Sequence, residues 1–99
     1  MLSREQYILI KIAEEAAEVI QDINKTLIFG LNEKYHKSEF TNRERIVNEI
    51  TDMFALINLA HEEKILPLPE FPVTEAAVIA KQEKFEKYFK YSQELRVVE

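Results

Sequence analysis

The residues of this chain best suited to chemistry are two short acidic motifs. The first is Glu14-Glu15-Ala16-Ala17-Glu18; the second, further along, is Glu49-Ile50-Thr51-Asp52. Carboxylates at i, i+3 and i+4 leave a helix on one side. Two such clusters facing each other make an oxygen-only cage for a hard divalent cation such as Mg²⁺. The first motif has a plainer reading. At about 100° per residue, Lys11, Glu14, Glu15, Glu18, Asp22 and Lys25 share one side of a helix whose apolar residues centre nearly opposite, the usual pattern of a solvated face. Glu49 and Asp52 stand differently, because they border the apolar run Met53–Ala60. A carboxylate there is costly unless it is paired or bound to metal. Arg43 or Arg45 could supply a salt bridge, and a divalent cation is the other remedy. Five carboxylates gathered at one place repel strongly, and a cation relieves that repulsion.

The elements that must position these motifs are legible from caps and periodicity. Ser3 and Gln6 form a capping box. Ile8, Leu9, Ile12, Ala13, Ala16, Val19, Ile20, Ile23 and Leu27 then recur with helical period up to Gly30. Residues 30–41 are polar and irregular and read as a loop. Thr41 and Glu44 form a second capping box, opening a helix from about Asn42 to Glu63. Its centre, Met53–Ala60, is apolar nearly all round and is expected to be buried on several sides, with Phe54 and Phe29 as core. The prolines of segment 65–72 make a reversal, and Thr74 caps a third helix reaching roughly Leu95. The expected fold is all-α: an antiparallel helical hairpin plus a packed third long helix, in one domain spanning residues 1–99. Three helices form a thin core at this length, so a homodimer or higher homo-oligomer, assembling into a larger bundle, is expected.

Composition narrows the function classes. Of 99 residues, 46% are apolar and 31% charged, as in an ordinary globular chain. One Gly and three Pro leave few helix breakers. The absence of Cys excludes disulfides and thiolate metal sites. Apolar runs are too short to span a bilayer and no cationic leader precedes one, so an intracellular, cytoplasmic protein with no membrane partner is expected. A net charge of −5 argues against binding a nucleic-acid polymer. It leaves anionic small substrates open, because metal ions can supply positive charge.

The pair EEAAE and EITD resembles the E-E-x-x-E…E-x-x-D pattern of the all-α nucleoside triphosphate pyrophosphohydrolases, the MazG-like superfamily. Its relatives include dimeric dUTPases, dCTP pyrophosphatases and phosphoribosyl-ATP pyrophosphohydrolases. The likeness covers about Ile8 to Ala60, and the gap between the motifs is long for the family, which implies an extended loop at 30–41. The resemblance implies Mg²⁺-dependent (or Mn²⁺-dependent) cleavage of a nucleoside triphosphate between its α and β phosphates, giving a monophosphate and pyrophosphate, in the service of nucleotide-pool sanitation. Carried over by motif, Glu15, Glu18, Glu49 and Asp52 are the expected metal ligands. Glu14 is the expected catalytic residue that orients or deprotonates water, and metal binding is open to it too. Such chemistry needs no protein nucleophile.

Lys81, Lys84, Tyr88 and Ser92 recur on one side of the third helix. The lysines could receive phosphates with the tyrosine ring beside them, or form a solvated cationic face. The segment KQEKFEKYFKYS resembles the C-terminal helix of small phage-type MazG-like proteins, which favours the substrate-binding reading. Lys11 and Lys25 flank the acids and suit either phosphate contact or neutralisation of neighbours. Phe85, Tyr88, Phe89 and Tyr91 read as core or interface, His36 as a loop residue, and His61 as a favourable cation near a helix end. Two rivals remain. Phosphoribosyl-ATP pyrophosphohydrolase ranks second, since EITD does not continue into a Tyr-His stretch associated with that branch. A non-catalytic helical interaction module, with solvent-facing acids and Met53–Ala60 as an oligomer seam, is the alternative of another class.

Overall fold

Each helix begins where a side chain takes over the orphan backbone donors of its first turn. Ser3 Oγ accepts from Gln6 N at 3.1 Å while Gln6 Oε1 accepts from Ser3 N at 2.9 Å, and α1 runs Arg4–Phe29. Thr41 and Glu44 repeat the reciprocal cap, and α2 runs Asn42–Glu62. Thr74 Oγ1 accepts from Ala77 N at 3.2 Å and opens α3, Glu75–Glu94. The computed structural model describes residues 1–34, 37–66 and 74–99. His36 and most of the expected reversal at 65–72 lie outside the described residues. Within the described residues the chain is all-helical, with three helices and no strand, only an isolated bridge between Lys34 and Thr41.

The helix ends are equally local. Gly30 closes α1 at φ 98°, where a side chain is disfavoured. The start of α2 is then tied back to that turn: Asn42 N donates to Glu33 O, Arg43 N to Leu31 O, and the buried Asn42 Nδ2 to Gly30 O at 2.9 Å. At the other end of α2, Lys64 takes φ 61° and Ile65 N donates to Ala60 O at 2.8 Å. This is the left-handed helix stop that usually employs Gly.

The chain divides into two compact units, Met1–Pro67 and Leu68–Glu99. In the first, α1 and α2 pack as an antiparallel hairpin along one seam. On α1 the seam carries Ile8 and Asp22, both buried, with Ile12, Glu15, Val19 and Thr26 half-buried. On α2 it carries buried Asn42 and Ala60, with Arg45, Glu49, Met53, Leu56 and Ile57 half-buried.

This seam corrects two expectations. Asp22 and Glu15 come from the polar side of α1, yet they face inward. Much of the expected apolar stripe instead stays exposed: Leu9, Ile20, Ile23 and Leu27, the last at 80%. A helix packing on one neighbour covers a single stripe, and here that stripe lies at the border between the acidic and apolar sides. For the same reason Phe29 (63% exposed) and Phe54 (48%) are not core, and of Met53–Ala60 only Ala60 is fully covered. In the second unit, α3 has no buried residue. Its aromatic side is exposed, with Phe85 and Phe89 stacked at a centroid distance of 5.8 Å.

Candidate metal centre

The hairpin brings three glutamates together across its seam. Glu15, Glu18 and Glu49 each offer one carboxylate oxygen within 4.8 Å of the other two. Glu15 and Glu18 are one turn apart on α1, and Glu49 enters from α2. Oε2 of Glu15 and Oε2 of Glu49 are buried and have no hydrogen-bond partner. Ionised carboxylates only accept, so three of them at this spacing have nothing to donate among themselves. A buried acceptor without a donor is a rare and costly arrangement unless a proton or a cation completes it.

The proton is the answer without a cation. The carboxyl of Glu49 is pushed up from its ordinary 4.5 to about 8, first by hydrogen bonding to Glu18, then by burial, then by Glu15. Near neutral pH the protonated form of Glu49 is therefore favoured, which lowers the repulsion within the cluster. The donor set itself suits a hard divalent ion: oxygen only, anionic, and drawn from two helices. The two buried, unpartnered oxygens, one on Glu15 and one on Glu49, leave acceptor capacity that such an ion could fill.

The other residues singled out from sequence fall as follows. Asp52 lies one turn beyond Glu49 on α2, exposed and outside the converging three. Glu14 is exposed and its Oε2 accepts from Lys11 Nζ at 2.9 Å. The same ammonium lies 5.5 Å from the Tyr7 ring centroid. Lys11 thus serves as a neighbour-neutralising cation in this structure, and Glu14 is turned to it. Lys25 is half-buried and engaged by other groups. Lys81, Lys84 and Tyr88 share one exposed side of α3, in the second unit.

Two buried polar residues were not singled out as partners. Asp22, 4% exposed, accepts an ion pair from Arg45 Nη2 at 3.2 Å. Asn42 locks the interhelix turn. Asp22 was discoverable: it lies four residues beyond Glu18, as Arg45 lies four before Glu49, so complementary charges sit at equal spacing from the two motifs. Comparison with known protein families, characterised proteins and solved structures finds no match to this chain.

Proposed function

We propose that the hairpin is the metal-binding core of a Mg²⁺-dependent nucleoside triphosphate pyrophosphohydrolase of the MazG-like kind. The observation that carries this reading is the convergence of Glu15, Glu18 and Glu49 with two buried, unpartnered oxygens. Glu15, Glu18 and Glu49 hold the ion, and Asp52, on the next turn of α2, is the candidate fourth ligand. A bound divalent cation there supplies Lewis-acid polarisation of phosphate oxygens and a lowered pKa for water. The chain's own contribution is to present anionic oxygens from a rigid seam, with burial that strengthens each contact. Glu14, on the exposed side of the first motif, is free to exchange Lys11 for a water molecule and orient it.

The exposed stripe Leu9, Ile20, Ile23 and Leu27 supports a second element of the proposal, a homo-oligomer in which another copy covers it. The same stripe favours the rival reading of a non-catalytic oligomerisation module. One assay separates the two. A panel of canonical and damaged nucleoside triphosphates, with phosphoribosyl-ATP included, is tested for pyrophosphate release with and without Mg²⁺. Release from a nucleoside triphosphate only with Mg²⁺ is the expected result. Release from phosphoribosyl-ATP alone assigns the histidine-biosynthesis branch, and no release together with no thermal stabilisation by Mg²⁺ or Mn²⁺ refutes the enzyme. Among the described residues no helix is long and apolar enough to cross a membrane.

A further inference from the structure

The apolar stripe that α1 leaves outside the hairpin is symmetric in side-chain size. From Gln6 it runs Leu9, Ala13, Ala16, Ile20, Ile23 and Leu27, in alternating steps of three and four residues, the spacing that keeps a seam facing another helix. Leu9, Ile20, Ile23 and Leu27 are exposed, from 40% at Leu9 to 80% at Leu27. Ala13 is exposed too, and Ala16 is half-buried. About the midpoint between Ala13 and Ala16 the stripe reads alike in both directions. Small residues hold the middle, Leu9 and Ile20 flank them, Gln6 and Ile23 come next, and Leu2 and Leu27 close the ends. Such a palindrome fits an antiparallel copy of itself: a two-fold axis at the midpoint sets Leu9 against Ile20 of the second copy and Ala13 against its Ala16. The small central pair lets the helices approach, the large pairs fill the space on either side, and the helix dipoles oppose one another favourably.

Charge and area agree with that occupant. Of the charged residues of α1 only Glu5 borders the stripe, and the same two-fold axis sets it beside Asn24 of the second copy, a neutral amide. Glu14, Glu15, Glu18 and Asp22 lie in the α2 seam or on the far side of the helix. Two chains of net charge −5 can therefore meet here without opposing the acids of α1. At their observed exposures, Leu2, Leu9, Ile20, Ile23 and Leu27 leave roughly 500 Å² of apolar surface per chain, more than a monomer usually keeps, and two copies reach roughly the 1,000 Å² at which a specific interface begins. We propose that two chains pair antiparallel through this stripe of α1, about a two-fold axis between Ala13 and Ala16. The pairing rests on the homo-oligomer part of the proposed function and does not depend on the cation site. It leaves Glu14 and Glu18 on sides of α1 turned away from the contact.

The chain has no cysteine, so introduced cysteines report on the pairing alone. Under mild oxidation the full-length Leu9→Cys/Ile20→Cys variant should form a covalent dimer on a non-reducing gel. Within one chain those positions stand about 16 Å apart along the helix, too far to join. Leu9→Cys alone should not link, because the antiparallel axis separates its two copies by that same distance. In sedimentation velocity the parent should be a dimer, and Ala13→Arg should weaken it at least about tenfold, with helicity unchanged, since a bulky charge there meets only the second copy. Efficient linking by Leu9→Cys alone means a parallel pair and overturns the inference. So does a folded Leu9→Cys/Ile20→Cys variant that stays unlinked, or a dimer that Ala13→Arg leaves intact; the contact then lies on another face, and the homo-oligomer itself stands. Should the double cysteine variant fail to fold, Ala13→Arg decides. A monomeric parent at its highest soluble concentration, the stripe covered by residues 68–99 of the same chain or left open, removes the homo-oligomer reading and this inference with it.

Discussion

The raised Glu49 carboxyl predicts a pH dependence for cation binding at the glutamate cluster. Glu49 titrates near 8 instead of 4.5, with Glu18, burial and Glu15 as the causes in that order. A cation that uses both sides of the cluster must expel this proton. With a pKa of about 8, roughly one site in ten is ionised at pH 7 and one in a hundred at pH 6. Mg²⁺ affinity should rise about tenfold per pH unit from 6 to 7, less steeply towards 8, and flatten by 9. Calorimetry at pH 7 in buffers of different ionisation enthalpy should count close to one proton released per ion. Glu49→Gln removes the proton and one ligand, so its residual affinity should be weak and flat with pH. The metal-free protein carries the reverse imprint. Below pH 4.5 folded and unfolded chains both hold the proton. Between about 4.5 and 8 only the folded chain holds it, so stability falls as pH rises, by at most about 1 kcal/mol per unit given water at the Glu18 side. Glu44, held low by Thr41, and Glu63, held low by Arg4, act oppositely, and only as pH falls below the ordinary carboxylate range. Saturating Mg²⁺ should abolish the decline above neutrality. A parent protein whose Mg²⁺ affinity is flat from pH 6 to 9, with no proton released, would refute the reasoning that the ion displaces a proton from Glu49.

Other expectations follow from single contacts. Glu18→Gln should abolish Mg²⁺-dependent pyrophosphate release while raising the melting temperature of the metal-free protein above pH 8, because it relieves repulsion; Asp52→Asn should abolish turnover with the fold intact, and full activity in Asp52→Asn removes it from the ligand set. Asn42→Ala strips a buried hydrogen bond to Gly30 O and should destabilise the hairpin by about 1–3 kcal/mol in chemical denaturation. Lys64→Gly should stabilise it by about 1 kcal/mol, since position 64 sits at φ 61° where only glycine is unstrained. Leu27→Glu places a charge in the exposed apolar stripe and should dissociate the proposed oligomer in sedimentation velocity without loss of helicity.

What was legible beforehand was local. Ser3 with Gln6, Thr41 with Glu44, Thr74 and Gly30 mark helix boundaries through contacts within four residues, and the helices start and stop within a residue or two of those marks. The stop after Glu62 carries no glycine signal, because Lys64 accepts a left-handed backbone there. Of the candidate site, the glutamates were visible as motifs, and Glu15, Glu18 and Glu49 do meet. The pairing of Lys11 with Glu14 was one of two readings that the sequence left open, and Asp22 was read with the polar side of α1, although its spacing from Glu18 matches that of Arg45 from Glu49.

The residue order alone determined three helices, their caps, and two acidic patches at helical spacing, because those depend on interactions within one turn. Only the tertiary structure decided which stripe of α1 meets α2. Helical periodicity leaves rotation about the axis open, and α1 has both an apolar stripe and an acidic one to offer. The hairpin settles at their border, where Asp22 finds Arg45 and three glutamates converge, while Ile20 and Leu27 remain outside. That choice is made by charge pairing and register between helices far apart in the chain, which no local pattern encodes.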